Sequence, residues 1–174
     1  FEHESYNREA EKKYDFLTIR NRLDVSKYCI DLVTRLANAY PQYRFCVVGK
    51  GDFYRFNRKP GNLVWFDRHL SHSEIVNLLN EAKCALMPTR ADAQGVLACE
   101  MATFGIPLIT SNIDVCREIF EGFDNVAYIS NDRPELELES AFESRRVANQ
   151  KHTRYFAENT IQKEIELFEG LKGS

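Results

Sequence analysis

No apolar run in this 174-residue chain approaches the length needed to cross a bilayer, and no signal peptide is visible. Charge of one sign is not in excess either. Lys and Arg number 23 against 26 Asp and Glu, a net charge of -3, so nothing suggests a polyanion-binding surface and nucleic acid is not an expected partner. The cysteines lack an even set: Cys29, Cys46, Cys84, Cys99 and Cys116 are five, widely spaced, and four of them sit in or beside apolar runs. That pattern speaks against a disulfide frame or a zinc site and for reduced, buried thiols in a reducing compartment. His69 and His72 have no third clustered ligand, so no metal site is expected. No Met opens the chain, which starts at Phe1 and reads as a piece of a longer protein. Internal repeats and low-complexity segments are missing as well.

What is present is an alternation of strands and helices in a chain long enough for one domain with a core. Tyr14 to Ile19 reads as the first strand and Arg20 to Ser26 as a loop. Lys27 to Ala39 reads as a helix with Cys29, Leu32, Val33, Leu36, Ala37 and Tyr40 on one face. Tyr43 to Val48 is the second strand, leaving by Gly49-Lys50-Gly51-Asp52. Phe53 to Gly61 is basic and irregular, and Asn62 to Phe66 is a third strand. Ser71-His-Ser-Glu74 is a capping box, opening a helix with Ile75, Leu78, Leu79 and Ala82 toward the core. Further on, Asp114 to Phe120 reads as a helix, Val126 to Ile129 as a strand, Pro134 as the opening of a helix over Glu135 to Asn149, and 159–171 as an amphipathic tail. Residues 1–13 read as a linker or frayed start, and 14–174 as one domain. The alternation predicts a parallel, doubly wound α/β sheet. In such a sheet ligands bind beyond the C-terminal ends of the strands. Four loops fall there: Arg20 to Lys27, Gly49 to Asp52, Phe66 to His69 and Thr89 to Gly95.

The most informative stretch is residues 84–111. It predicts a strand over Cys84 to Met87, a loop after Pro88, a helix of about three turns ended by Gly105 with Pro107 just beyond, and a strand over Ile106 to Ile109. Val96, Leu97, Met101 and Phe104 form the apolar stripe of that helix, and Glu100 lies inside the stripe. A carboxylate on a buried face is costly unless something hydrogen-bonds it. Asp92 stands before the helix, where it can cap free N–H groups, and those N–H groups with the helix dipole also suit a phosphate. Asp92 and Glu100 would lie about 12 Å apart along a continuous helix, wider than the roughly 5–9.5 Å of a glycosidase carboxylate pair. The spacing suits two acids gripping opposite ends of an extended ligand. As bland readings, Glu100 is a helix carboxylate paired with a neighbouring base, and Asp92 only a cap. Gly49-Lys50-Gly51 lacks the third glycine of a dinucleotide loop, since position 54 is Tyr, and lacks the Ser or Thr after Lys of a P-loop.

Pro88-Thr89-Arg90-Ala91-Asp92-Ala93-Gln94-Gly95-Val96-Leu97-Ala98-Cys99-Glu100-Met101-Ala102 resembles the signature of the retaining GT-B glycosyltransferases of group 1, the E-x7-E type. Glu100 matches the second acid and Asp92 stands in place of the first. Gly95 matches the second glycine of the helix start, and Ala93 replaces the first. Arg22-Leu23 followed by Lys27 resembles the family's Arg-Leu-x-x-x-Lys, with Asn21 and Tyr28 where flanking glycines usually stand and Arg20 as a rival arginine. Val48-Gly49-Lys50-Gly51 and Trp65-Phe66-Asp67-Arg68-His69 sit where the family's donor-facing turns lie. Glu118-Ile119 matches a further piece.

The resemblance implies a Rossmann-like domain that is the C-terminal, donor-binding half of a GT-B fold. It implies transfer of a sugar from a nucleoside diphosphate sugar to a glycan or lipid-linked acceptor, with retention. Arg22 and Lys27 are then expected to stabilise the departing diphosphate, and Glu100 to grip the ribose. Asp92, with the backbone of Ala93, Gln94 and Gly95, is expected to position sugar and β-phosphate, while Thr89, Val96 and Gly49 contact the donor. No metal or cofactor beyond the donor is implied, there being no Asp-x-Asp pair to hold a divalent ion. The implied partners are the donor, the protein's own N-terminal acceptor-binding domain and the acceptor. The implied location is cytoplasmic, touching the inner membrane face through that other domain. A sugar-nucleotide epimerase on the same scaffold and an inactive nucleotide-sugar-binding module stay open as alternatives. The shorter acid at Asp92 and the missing glycines at 21 and 93 keep the second alive.

Overall fold

The computed structural model describes residues 1, 3–91, 95–136 and 152–156. Six strands form one sheet: β1 (Tyr14–Arg22), β2 (Phe45–Lys50), β3 (Leu63–Phe66), β4 (Ala82–Leu86), β5 (Leu108–Ser111) and β6 (Val126–Ile129). All pairings are parallel, in the order β3-β2-β1-β4-β5-β6. Between them lie α1 (Ile30–Ala39), the short α2 (Phe53–Phe56), α3 (His72–Glu81), α4 (Val96–Phe104) and α5 (Asp114–Ile119). This is the doubly wound, Rossmann-like α/β sheet that the alternation predicts. The chain winds outward from β1 to β3, then returns to lay β4 beside β1. The topological switch point therefore falls between β1 and β4.

Alternation along the central strands builds two cores. Phe16, Phe45, Val47, Cys84 and Leu86 face α1, whose Leu32, Val33 and Leu36 are buried against them. Leu17, Ile19, Cys46, Val48 and Ala85 face the other way, onto Leu79 of α3 and Met101, Ala102 and Phe104 of α4. A strand covered on both faces must be apolar on both, which is why β1, β2 and β4 read as runs rather than alternations. Each buried Leu or Phe contributes roughly 1.5–3 kcal/mol. Thr18, polar within that core, donates to the Leu86 carbonyl at 2.6 Å and so ties β1 to β4.

Several boundaries differ from expectation. β1 continues through Arg22 although Arg20-Asn21-Arg22 is polar by composition, because Arg22 still pairs with Lys50 at the end of β2. The helix expected from Lys27 is a 3-10 turn over Ser26–Tyr28, broken at Cys29, which is left-handed (φ 54°), before α1 begins at Ile30. Part of the irregular stretch after Asp52 is helical, as α2. The N-terminal segment is bonded to the body where described: Tyr6 N–H donates to the Phe104 carbonyl at 2.9 Å, Tyr6 hydroxyl to the Ala82 carbonyl at 2.7 Å, and Asn7 N–H to Asn80 Oδ1 at 2.7 Å. The capping box is as read. Ser71 Oγ accepts from Glu74 N–H, and the Glu74 carboxylate accepts from Ser71 N–H at 2.8 Å. With Arg68 added at 2.6 Å, these bonds pull the Glu74 carboxyl down to about 2, the Ser71 backbone being the largest cause. Gly105 ends α4 in the left-handed region (φ 97°). All five cysteines are buried and none is in a disulfide among the described residues. The helix expected over 135–149 and the tail over 159–171 lie almost wholly outside the described residues.

Candidate functional site

A cavity of about 410 Å³ opens beside the switch point, at the C-terminal ends of β1 and β2. Its walls are Ile19 to Asn21 of β1, Lys27 and Tyr28 of the 3-10 turn, Arg68 to Leu70 before α3, and Gly95 to Ala98 at the start of α4. Arg20, Lys27 and Arg68 bring positive charge to it, and no carboxylate lines it among the described residues. An anion is the ligand such a wall stabilises.

The β1 wall is held through its backbone. The Lys27 carbonyl accepts from Arg90 N–H at 2.9 Å and from the Thr89 hydroxyl at 3.1 Å. The Arg90 side chain reaches the Ser26 carbonyl (2.6 Å) and both Asp31 oxygens (3.0 and 2.6 Å). Arg90 is the main cause holding the Asp31 carboxyl below its ordinary value. Thr89 in turn is locked in a ring: its N–H donates to Ser111 Oγ (2.8 Å), Ser111 donates to Asn131 Oδ1 (2.6 Å), and Asn131 donates to the Thr89 carbonyl (3.0 Å). The loop after β4 thereby grips the loop after β1, and Lys27 is fixed at the cavity with its ammonium free of any ion pair among the described residues.

Arg20 and Arg22 part company. From Ile19 to Arg22 is three steps on β1, but the partners Val48 and Lys50 are only two apart on β2. One extra residue on β1 breaks the alternation that would otherwise put both arginines on one side. Arg20 is buried (8% exposed), lines the cavity and donates to the Pro88 carbonyl at 2.7 Å. Arg22 is exposed and pairs with Asp24 at 2.6 Å, away from the cavity wall. Gly49 has its own reason to be glycine. At φ 150° a Cβ there would stand 2.1 Å from the Arg20 carbonyl oxygen, so β2 closes on the β1 bulge only through a bare backbone. It does not line the cavity, nor does Thr89, whose N–H, hydroxyl and carbonyl are all taken up inside the protein.

On the opposite wall Gly95 caps α4 without a side-chain bond. Val96, expected in the buried stripe, is instead 60% exposed at the cavity, while Met101 and Phe104 are buried as read. The helix packs by Ala98, Cys99, Met101 and Ala102, so its buried face is rotated away from Val96. Glu100 is half-buried and has no hydrogen bond or ion pair among the described residues. Burial pushes its carboxyl above the ordinary value, with the chain's N-terminal ammonium and His72 pulling weakly the other way. It lies one turn beyond the cavity-lining residues of α4. Asp92, Ala93 and Gln94 lie outside the described residues. Arg68 and His69, part of the wall, lie in the stretch that resembles a donor-facing turn of the family, where the sequence singled out no one side chain. No group of three metal-ligating side chains occurs among the described residues.

Residues 2–162 match the family model described as glycosyl transferases group 1. The chain belongs to the group 1 glycosyltransferases. A stretch of 101 residues is 33% identical to glycogen synthase of Mycobacterium tuberculosis, covering 53% of this chain and 24% of that enzyme. The matched part thus spans about a quarter of that group 1 relative. The fold is that of GT-B glycosyltransferases. The C-terminal domain of a group 1 glycosyl transferase, LpcC of Francisella tularensis, superposes with a TM-score of 0.51 at 15% identity, over 78% of this chain and 75% of that domain. The pneumococcal O-GlcNAc transferase GtfA, solved in complex with UDP and GlcNAc, gives 0.53 at 17% identity over 81% of this chain and 29% of that one.

Proposed function

We propose that this chain is the donor-binding domain of a glycosyltransferase that moves a sugar from a nucleoside diphosphate sugar to a glycan or lipid-linked acceptor, with retention. The observation that carries the reading is the switch-point cavity, with Arg20 and Lys27 on one wall and the start of α4, from Gly95, on the other. A diphosphate seated there meets a guanidinium, an ammonium and backbone N–H groups whose helical partners are missing by construction. Arg20, rather than Arg22, takes the guanidinium role. As the glycosidic bond breaks, negative charge grows on the leaving β-phosphate, and groups already in place stabilise it at little reorganisation cost. Glu100, half-buried and without a partner among the described residues, accepts the two ribose hydroxyls. That exchanges a costly solitary carboxylate for a hydrogen-bonded one. Asp92, with the backbone of Ala93 to Gly95, positions the sugar. The acceptor is met on a second domain across the cleft.

Calorimetric titration with UDP, GDP and ADP tests this. One of the three is expected to bind, and binding is expected to survive EDTA, since side-chain cations supply the charge. Binding that needs Mg²⁺ or Mn²⁺ would overturn the phosphate assignment, and no binding of any of the three would overturn the site.

A further inference from the structure

Two cations of the cavity share one aromatic ring. The Arg20 guanidinium carbon lies 4.8 Å from the centre of the Tyr28 ring, and the Lys27 ammonium lies 5.0 Å from the same centre. Tyr28 is half-buried, lines the cavity, and its hydroxyl has no hydrogen bond among the described residues. Lys27 and Tyr28 sit in the one turn whose backbone is gripped by Arg90 and Thr89, so the ring has a fixed seat. Left-handed Cys29, directly after it, holds a conformation that residues with a Cβ seldom adopt, and it is what turns the chain from this seat into α1.

Two like charges brought to one small cavity repel, and flexible Lys would drift into solvent. A ring face carries negative quadrupole density and attracts cations within about 6 Å of its centre. We infer that Tyr28 is a positioning residue that holds Arg20 and Lys27 side by side as a preset diphosphate clamp. Its ring offsets their mutual repulsion until an anion with two phosphates replaces it as the counter-charge. The inference rests on the proposed reading of the cavity and adds the device that keeps it ready. Tyr28 itself need not touch the ligand.

The test compares Tyr28→Leu, Tyr28→Met and Tyr28→Phe in the full chain, each checked for folding by circular dichroism. The probes are inorganic pyrophosphate, UDP, GDP and ADP, and the parent nucleosides. Leu and Met, which keep apolar bulk without a ring, are expected to weaken pyrophosphate and the bound diphosphate roughly tenfold. Nucleoside affinity is expected to stay unchanged, and Phe to restore diphosphate binding to within about twofold. The inference falls if Phe loses as much as Leu, because the hydroxyl is then a direct ligand. It falls if Leu and Met bind diphosphate as the wild type does, or if nucleoside affinity drops in step, which marks a general packing role. A wild-type chain that binds neither pyrophosphate nor any diphosphate removes the cavity reading and the clamp together, and so is told apart from failure of the clamp alone.

Discussion

On the β1 side of the cavity the chain from Arg20 to Cys29 is tied down by partners far away in sequence. Pro88 holds Arg20, Arg90 and Thr89 hold the Lys27 carbonyl, and Arg90 also holds Ser26 and Asp31. On the α4 side Gly95 offers no side-chain cap, Val96 stands exposed, and Glu100 has no partner among the described residues. One wall has spent its hydrogen bonds on itself and presents fixed cations. The other keeps donors and an acceptor unspent among the described residues. Such a division lets a flexible diphosphate meet rigid charges first, while the ligand supplies the bonds that α4 lacks. The ordering entropy of the charged side chains is met during folding rather than at binding.

The contrast breaks most severely at Gly49. Gly49→Ala places a methyl group 2.1 Å from the Arg20 carbonyl, so the β1 bulge must move or β2 must part from it. A loss of about 3 kcal/mol or more in folding stability is expected, read as a fall in the thermal midpoint, with nucleotide binding lost as well. The two arginines give the next largest effect. Arg20→Gln is expected to weaken diphosphate binding by roughly 1.5–3 kcal/mol. Arg22→Gln, which removes an exposed pair, is expected to leave binding and stability nearly unchanged. Equal losses in isothermal titration would mean that the bulge does not separate their roles.

Glu100→Gln sharpens the other wall. Affinity for the bound nucleotide should fall roughly tenfold, about 1.4 kcal/mol, while stability moves the opposite way. The folded carboxyl titrates above its ordinary value, so Glu100 favours the fold below its unfolded pKa. That contribution is lost as pH rises through the folded value. At neutral pH the Gln variant should be the more stable protein in urea melts. A loss of both affinity and stability would place Glu100 in the scaffold instead.

Apart from the Arg22 control, Arg90→Ala has the smallest expected effect. Its pair with Asp31 is 41% and 49% exposed and worth about 0–1 kcal/mol after solvent screening. The bond to the Ser26 carbonyl goes with it, and a fewfold loss of diphosphate affinity is expected. Asp31 titrates below its ordinary value in the fold, so its contribution is complete above its unfolded pKa and fades as pH falls through the lower folded one. Acid titration of the variant should show that segment of the stability curve flattened.

The sheet was legible wherever its signals are local. The capping box at Ser71, the stop at Gly105 and the apolar runs of β2 and β4 each follow from a few neighbouring residues. Lys27 was picked out by the resemblance over residues 22–27, and Gly95 and Glu100 by the separate resemblance over residues 88–102. What the sequence hid is non-local. The bulge that sends Arg20 inward and Arg22 outward depends on pairing with β2. The turn that ends at Cys29 is held at Ser26 and Lys27 by Arg90 and Thr89, some sixty residues on. Val96 kept its helical period yet lies at a cavity rather than in the core, because periodicity reports a face and not what the face meets. Gly49 was marked as a turn or a ligand approach, and its crowding against Arg20 appears only once the strands are laid side by side.

The five buried thiols have a use that chemistry at the cavity does not touch. They are distributed one each to the turn before α1, to β2, β4, α4 and α5, and every one is shielded. Burial lifts the Cys46 thiol to about 12 and raises those of Cys29 and Cys84, so none of these is a ready nucleophile while the fold is closed. A thiol reagent therefore reacts with a given element only when that element opens. Peptide mapping of the labelled positions over time would rank the opening of the two cavity walls without a single substitution, Cys29 reporting for the braced wall and Cys99 for α4.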